Sequence, residues 1–236
     1  MLNIACFRWI PRGKLRIPSQ KKIVYGERHI NNLYYMCREH INIPFKFNAI
    51  VDDIKLNLDS NIIKIPLWDH FAELGGCYTR LFTYSNDIKD IIGDRVLYLD
   101  LDILILKNIT NIVSKEEEFV YYKRKDNLFN CSMYMMNSGS RSYIWEEFNK
   151  DPDLAILNAK EWTKQNNIMK GCSDQAWVNY RLDLDTEQYW NKDDGIYDIN
   201  LDLKNSNIPA NCNILLFPGP RDPSDKQYSK LNEYWK

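Results

Sequence analysis

Asp100 and Asp102 close the run Val96-Leu97-Tyr98-Leu99-Asp100-Leu101-Asp102, and two carboxylates at that spacing are suited to binding a metal. A β-branched and aromatic run reads as a buried strand. Side chains alternate along a strand, so these two are expected to point the same way and share one hard cation through oxygen. Such a cation would serve to hold a diphosphate. The same spacing recurs at Asp151-Pro152-Asp153 and Asp183-Leu184-Asp185, so context has to separate the three pairs. Asp153 follows a proline in what reads as a polar connection, and Asp183 and Asp185 follow a helical segment that ends in charge. Both of these pairs are expected on the solvated surface. Only Asp100 and Asp102 have apolar runs on both sides, with Ile103-Leu104-Ile105-Leu106 following. Unpaired charge beside a core is costly, which makes a cation partner the expectation.

The elements that must position this pair follow from periodicity. Residues 2–7 form a short apolar opening suited to a buried strand, followed by a basic loop over 8–22 with Pro11, Gly13 and Pro18. Residues 25–40 place Ile30, Leu33, Tyr34 and Cys37 on one helix face and stop before Pro44. Strands are expected at 45–51, closing on Asp52-Asp53, and at 62–67, before Trp68-Asp69-His70. A helical region over 79–85 and Ile91-Ile92 ends at Gly93, after which the Val96 strand enters the acidic pair. Residues 119–122 and 132–136 read as strands, 142–149 as a helix carrying Tyr143, Trp145 and Phe148, and 173–182 as a helix capped by Ser173. A last strand at 213–217 precedes Pro218-Gly219-Pro220. The pattern is α/β, with a mixed central sheet flanked by helices in a single domain over 1–236.

With 236 residues, 44% hydrophobic and 13% aromatic, the chain can bury one large core. Lys and Arg number 31 against 32 Asp and Glu, so there is no global basic field and nucleic acid is not an expected partner. No apolar run reaches membrane length, and Met1-Leu2-Asn3-Ile4-Ala5-Cys6-Phe7-Arg8-Trp9 lacks the charged start and long apolar stretch of a signal peptide. A soluble, cytoplasmic protein is expected. Cys6, Cys37, Cys77, Cys131, Cys172 and Cys212 are widely spaced, with no C-x-x-C pair and no histidine at zinc-ligand spacing. They read as reduced thiols. Asn108-Ile109-Thr110 and Asn130-Cys131-Ser132 match the glycosylation sequon and are read as chance matches.

Six blocks recur in one order: Ala5-Cys6-Phe7, Val51-Asp52-Asp53, Cys77-Tyr78-Thr79-Arg80-Leu81, the Asp100/Asp102 pair, Asn130-Cys131-Ser132-Met133, and Gly171-Cys172-Ser173-Asp174-Gln175-Ala176-Trp177. In that order they resemble the GT-A class of nucleotide-sugar glycosyltransferases, in particular family 8-like enzymes and a compact group of bacterial and large-DNA-virus transferases. The resemblance runs nearly end to end. It implies a Rossmann-like domain that moves a hexose-type sugar from a nucleotide donor, UDP above all, to a hydroxyl of a glycan or protein-linked glycan, for glycan assembly on a viral or bacterial surface. If the protein is viral, the expected compartment is the host cytoplasm.

By that resemblance Ala5, Cys6, Phe7 and Asp52 hold the nucleotide base, although Asp52-Asp53 is equally suited to a polar strand exit. Tyr25 either stacks on the base or packs before its helix. Arg80 faces the donor, with Gly75-Gly76 allowing close backbone approach, and Asp100, Leu101 and Asp102 hold the diphosphate through manganese or magnesium. Asn130 and Ser132 line the donor-sugar or acceptor pocket, and Asp174-Gln175 lies near the reacting sugar. Asp174 is the candidate base if the reaction inverts the anomeric centre and an orienting group if it retains it; an Asp in a first helical turn also suits the helix dipole. Relatives carry a metal-binding histidine where this chain has Pro218, and His29, His40 and His70 are not placed by motif to replace it. Water, diphosphate oxygens or Asp222 are expected to complete the shell, with Arg221 adding positive charge at the diphosphate. Closure of loop 8–22 or of segment 218–224 over the donor would exclude water. Two rival readings remain: a haloacid-dehalogenase-type phosphatase, with Asp193-Asp194 as its later acidic pair, and a non-catalytic sugar-nucleotide binding module.

Overall fold

The computed structural model describes residues 1–10, 25–71, 73–74, 77–168, 173–203, 207–219, 221–231 and 234–235. Most of loop 8–22, together with Gly75-Gly76, Gly171-Cys172 and Pro220, lies outside the described residues. In chain order the elements are β1 (Leu2–Arg8), α1 (Glu27–His40), β2 (Phe45–Val51), β3 (Ile62–Pro66), a 3-10 helix (Tyr78–Tyr84), α2 (Ile88–Ile91), β4 (Arg95–Leu99) and β5 (Ile103–Ile105). There follow α3 (Thr110–Val113), β6 (Phe119–Lys123), β7 (Phe129–Asn137), α4 (Ser142–Lys150), α5 (Pro152–Gln165), α6 (Asp174–Arg181), β8 (Gln188–Trp190), β9 (Ile196–Asp198) and β10 (Ile214–Leu216).

Seven strands make one sheet in the order β3-β2-β1-β4-β7-β6-β8, in which only β7 runs against the rest. The chain winds outward through β1, β2 and β3, then returns to place β4 on the other side of β1. That reversal opens a crevice outside the carboxyl ends of β1 and β4, where open α/β sheets bind ligands. The register sharpens it, because β1 and β4 pair from Asn3↔Val96 to Ala5↔Tyr98 and then part, while β1 stays with β2 as far as Arg8↔Val51. A second sheet, β5-β10-β9, lies beside the bend that carries the acidic pair.

Both faces of the large sheet are covered, and strand alternation shows which residue serves which layer. Ile4 and Cys6 of β1 join Leu97 and Leu99 of β4 in one core, against Ile30, Leu33 and Cys37 of α1. Ala5 and Phe7 join Val96 and Tyr98 in the other, which is rich in aromatic rings. There Tyr134 stacks between Tyr98, at a 4.7 Å centroid distance, and Tyr84, at 5.9 Å. Strands buried on both faces read as continuous apolar runs, as these do.

One reading of the sequence is corrected and another is extended. Asp151, Pro152 and Asp153 open α5 rather than a polar connection: the Asp151 side chain accepts Leu154 N–H at 3.0 Å, and Pro152 occupies the first turn. A proline is tolerated there because the N–H it lacks has no intrahelical partner at that position, and an aspartate N-cap stabilises the helix start. Ile103–Ile105, which the sequence presents as a flanking apolar run, is the strand β5. Asp183 and Asp185 are exposed at the surface, and Asn130, a formal sequon residue, is buried in β7 at 3% exposure, out of reach of a glycan. Cys6, Cys37, Cys77, Cys131 and Cys212 are free thiols, and Cys172 lies outside the described residues.

Candidate active site

β4 ends at Leu99, so Asp100 and Asp102 lie in the bend between β4 and β5. Their proximity comes from that bend and not from strand alternation, which corrects the geometric argument made from the sequence. The bend is held at both ends. Asp100 N–H donates to Ser132 O at 2.9 Å, and Phe217 N–H, just past β10, donates to Asp102 O at 3.1 Å. The segment starting at Pro218 is thereby laid beside Asp102.

Asp102 is 8% exposed, and its Oδ2 accepts the Tyr25 hydroxyl at 3.0 Å. Burial, and then the charge of Asp100, pushes the Asp102 carboxyl well above the ordinary carboxylate range. Asp100 is raised by burial as well, against the pull of Arg80 and a hydrogen bond from Ser132. Two carboxylates held close, with ionisation disfavoured by burial and by each other, are an arrangement that a divalent cation relieves. Their oxygens are of the hard kind that magnesium and manganese prefer, so the pair fits such an ion.

Arg80 joins the rest of the site. Its Nη1 donates to Asp100 Oδ1 at 2.8 Å, while Nε and Nη2 lie 2.9 and 2.8 Å from Asp174 Oδ2. The 3-10 helix supplies Arg80 and the first turn of α6 supplies Asp174, with Ser173 capping α6 by accepting Ala176 N–H at 3.3 Å. The Asp174 side chain is only 4% exposed, so the guanidinium is its counter-charge. Gln175 Oε1 accepts Cys131 N–H at 3.4 Å, and Asn130 Oδ1 accepts Ser132 N–H at 2.8 Å. Asp100, Arg80, Asn130, Ser132, Asp174 and Gln175 are thus brought together. Burial raises the neighbouring Cys77 thiol to about 12, against the pull of Arg80, and holds Cys131 well above the ordinary thiol value, which favours the neutral form of both.

The residues expected to bind the base are placed differently. Ala5, Cys6 and Phe7 have buried side chains, so what they offer a ligand is the backbone of β1 where it parts from β4. Asp52 accepts from the Arg8 guanidinium through Oδ1 and from Ile10 N–H at 2.7 Å through Oδ2. Arg8 Nε also donates to Tyr25 O at 3.0 Å, which ties the exits of β1 and β2 to the residue that holds Asp102. Arg221 donates to Pro218 O at 3.4 Å, within its own turn.

Among the described residues no three His, Cys, Asp or Glu side chains gather into a metal cluster. Asp222, an expected candidate for the metal shell, is committed elsewhere. Its Oδ2 is 2.9 Å from His29 Nε2, and its Oδ1 accepts Ser224 N–H at 2.7 Å. Gly26 N–H donates to His29 Nδ1 at 3.2 Å, so the imidazole accepts at Nδ1 and donates from Nε2 to the carboxylate. His29 also packs edge-on to Tyr25 and Trp235, joining the C-terminal segment to the residue that holds Asp102. Motif reasoning missed this contact because 193 positions separate the partners.

Burial opposes ionisation of Asp222, but the bonds from His29 and Ser224 outweigh it and bring the carboxyl to about 2 from an ordinary 3.8. A depressed folded-state pKa stabilises the fold above the unfolded value and loses that contribution as pH falls through the folded one. About 2 kcal/mol is therefore expected to disappear between roughly pH 4 and pH 2. Urea unfolding across that window checks this: Asp222→Asn should flatten the decline, and an unchanged profile in the variant would assign the acid sensitivity elsewhere.

No protein-family model and no curated protein sequence matches this chain. Solved structures do match. The galactosyltransferase LgtC, determined in complex with donor and acceptor sugar analogues, superposes with a TM-score of 0.58 at 14% identity over 100% of this chain and 95% of its own. An active-site mutant of LgtC gives 0.55 at 13% identity over 99% and 95%. The glycosyltransferase GlyE of Streptococcus pneumoniae TIGR4 gives 0.60 at 17% identity over 99% of this chain, which spans 60% of the GlyE chain. The fold is that of GT-A glycosyltransferases, as the order of the sequence blocks implied.

Proposed function

We propose that this protein is a metal-dependent glycosyltransferase that moves a hexose from a UDP-sugar to a hydroxyl of a glycan acceptor. The observation that carries this reading is the acidic pair at the crevice between β1 and β4, half-buried Asp100 and buried Asp102, linked through Arg80 to Asp174. The fold shared with LgtC and GlyE supports it. A manganese or magnesium ion held by Asp100 and Asp102 would supply Lewis-acid neutralisation of the departing diphosphate, with water and substrate oxygens as its remaining ligands.

The chain's own residues do the rest. Tyr25 orients Asp102 through its hydroxyl, which favours a positioning role over base stacking. Arg80 directs positive charge into the crevice while both carboxylates fix its plane. Asp174 Oδ2 is already engaged by two guanidinium N–H groups, which supports an orienting role over that of a base. Asn130, Ser132 and Gln175 offer amide and hydroxyl groups to sugar hydroxyls beside Asp100. The base of the nucleotide lies against the backbone of Ala5, Cys6 and Phe7, near Asp52. A cytoplasmic setting belongs to the same proposal; no helix among the described residues is long and apolar enough to cross a membrane.

The phosphatase reading requires its acidic pair on the first strand, whereas here it follows β4, and the fold favours neither that reading nor a non-catalytic one. The test is thermal stabilisation by a panel of nucleoside diphosphates with and without manganese. UDP with manganese is expected to stabilise the fold by about 2.7 kcal/mol at a hundred times its Kd. No response to any nucleotide would sink the proposal.

A further inference from the structure

A second depression, of about 330 Å³, opens at the end of β6 and the segment after β8, outside the Arg80 cluster. β6 and β4 are each antiparallel to the intervening β7, so both reach the same edge of the sheet. Lys123, Arg124 and Lys125 therefore leave β6 on the edge where Asp100 leaves β4, and β8, parallel to β6, brings Tyr189 and Lys192 there.

The lining is cationic in a chain whose formal net charge is −1: it carries Lys123, Arg124, Lys125 and Lys192 against Asp193 and Asp202. Part of this charge is used internally. Lys192 Nζ lies 2.8 Å from the buried Asp202 Oδ1, and Arg124 Nη2 lies 2.8 Å from Asp126 Oδ2. Lys123 Nζ is 4.3 Å from the centre of the Tyr189 ring, a contact that fixes the ammonium without neutralising it. Lys125 is exposed at the rim. One wall of the cavity is tied through the sheet to the candidate site. Its wall residue Tyr122 pairs in register with Asn130, whose side chain accepts Ser132 N–H, and Ser132 O accepts Asp100 N–H. β4 and β6 are two strand spacings apart, on the order of 10 Å.

We infer that this cavity is an acceptor subsite for an anionic saccharide. The acceptor carries a carboxylate or phosphate a sugar or two away from the hydroxyl that reacts, an assignment that rests on the transferase reading above. Lys123 and Lys125 take the anion, and the 40% exposed Tyr189 supplies a flat face for a pyranose ring. With a neutral acceptor, these two cations have in the lining only the Asp193 carboxylate that is not already paired with Lys192 or Arg124. Electrostatic complementarity of this kind selects among acceptors more than it adds raw affinity.

The experiment is calorimetric titration of the full chain, with UDP and manganese present, by a glucuronic-acid-terminated disaccharide, galactose 6-phosphate and lactose. The wild type is compared with Lys125→Ala and with the double variant Lys123→Ala/Lys125→Ala. At least one acidic probe is expected to bind tenfold or more tighter than lactose, to weaken with added salt, and to lose tenfold or more in the double variant; the tighter acidic probe identifies the anion. The UDP and manganese thermal shift is expected to stay unchanged in both variants. Lactose binding as tightly as both acidic probes, or a double variant that binds them like the wild type, overturns the subsite while the UDP shift leaves the transferase reading standing. Acidic-sugar binding that depends on the lysines, with no UDP response in the wild type, overturns the acceptor role through failure of that reading.

Discussion

Asp102→Asn is expected to lower sugar transfer on the order of 10²- to 10³-fold while raising the melting temperature of the metal-free protein. The two effects share one cause. Asp102 is 8% exposed and lies within the field of Asp100, so its ionised form is unfavourable unless a cation is bound. The amide keeps the shape and leaves an oxygen to accept the Tyr25 hydroxyl, but it removes one of two like charges. Without metal this relieves the fold. With metal it removes an anionic ligand, so the manganese-dependent part of UDP stabilisation disappears with transfer. Parallel melting curves and transfer rates check this. A variant that melts lower without metal, or transfers at the wild-type rate, would show that the carboxylate is structural.

Much of this arrangement was legible in the sequence, and what was not has physical reasons. The strand 45–51 agrees with β2 to the residue, because its apolar run is bounded by Pro44 and by Asp52-Asp53. The acidic pair stood out because apolar residues flank it on both sides, although its geometry comes from a bend that alternation does not describe. α5 was hidden by Pro152, which reads as a breaker in isolation and as a helix start only with Asp151 as its cap. β5 has three residues, too short for a period to declare itself, and it exists because β10 pairs with it across the chain. The contacts of Arg80 with Asp174, 94 positions away, and of His29 with Asp222 are long-range pairings set by topology. The resemblance brought Arg80 and Asp174 to the same site without saying that they touch. The cations at the end of β6 fall two strands from the acidic pair only once the sheet order is known.

The link between Arg80 and Asp174 carries the second large effect. Arg80→Met keeps roughly the length of the side chain and removes the charge that offsets a carboxylate 4% exposed, so it is expected to cost about 3–5 kcal/mol of stability. Asp100, with a side chain 29% exposed, retains access to water and to a cation and contributes less of that cost. Arg80→Lys is not a conservative rescue, since one ammonium cannot reproduce the fork that meets Asp100 through Nη1 and Asp174 through Nε and Nη2. Arg80→Met/Asp174→Leu removes both buried charges together and is expected to recover most of the lost stability, because the penalty of the single variant is the uncompensated ion and not the missing bond. Transfer is not expected to return with stability, since the crevice still lacks the guanidinium beside the diphosphate. A double-mutant cycle in urea separates the two readouts: a coupling near zero between positions 80 and 174 would mean that the pair is solvated in solution, and Arg80 would then act on the donor without Asp174 to orient it.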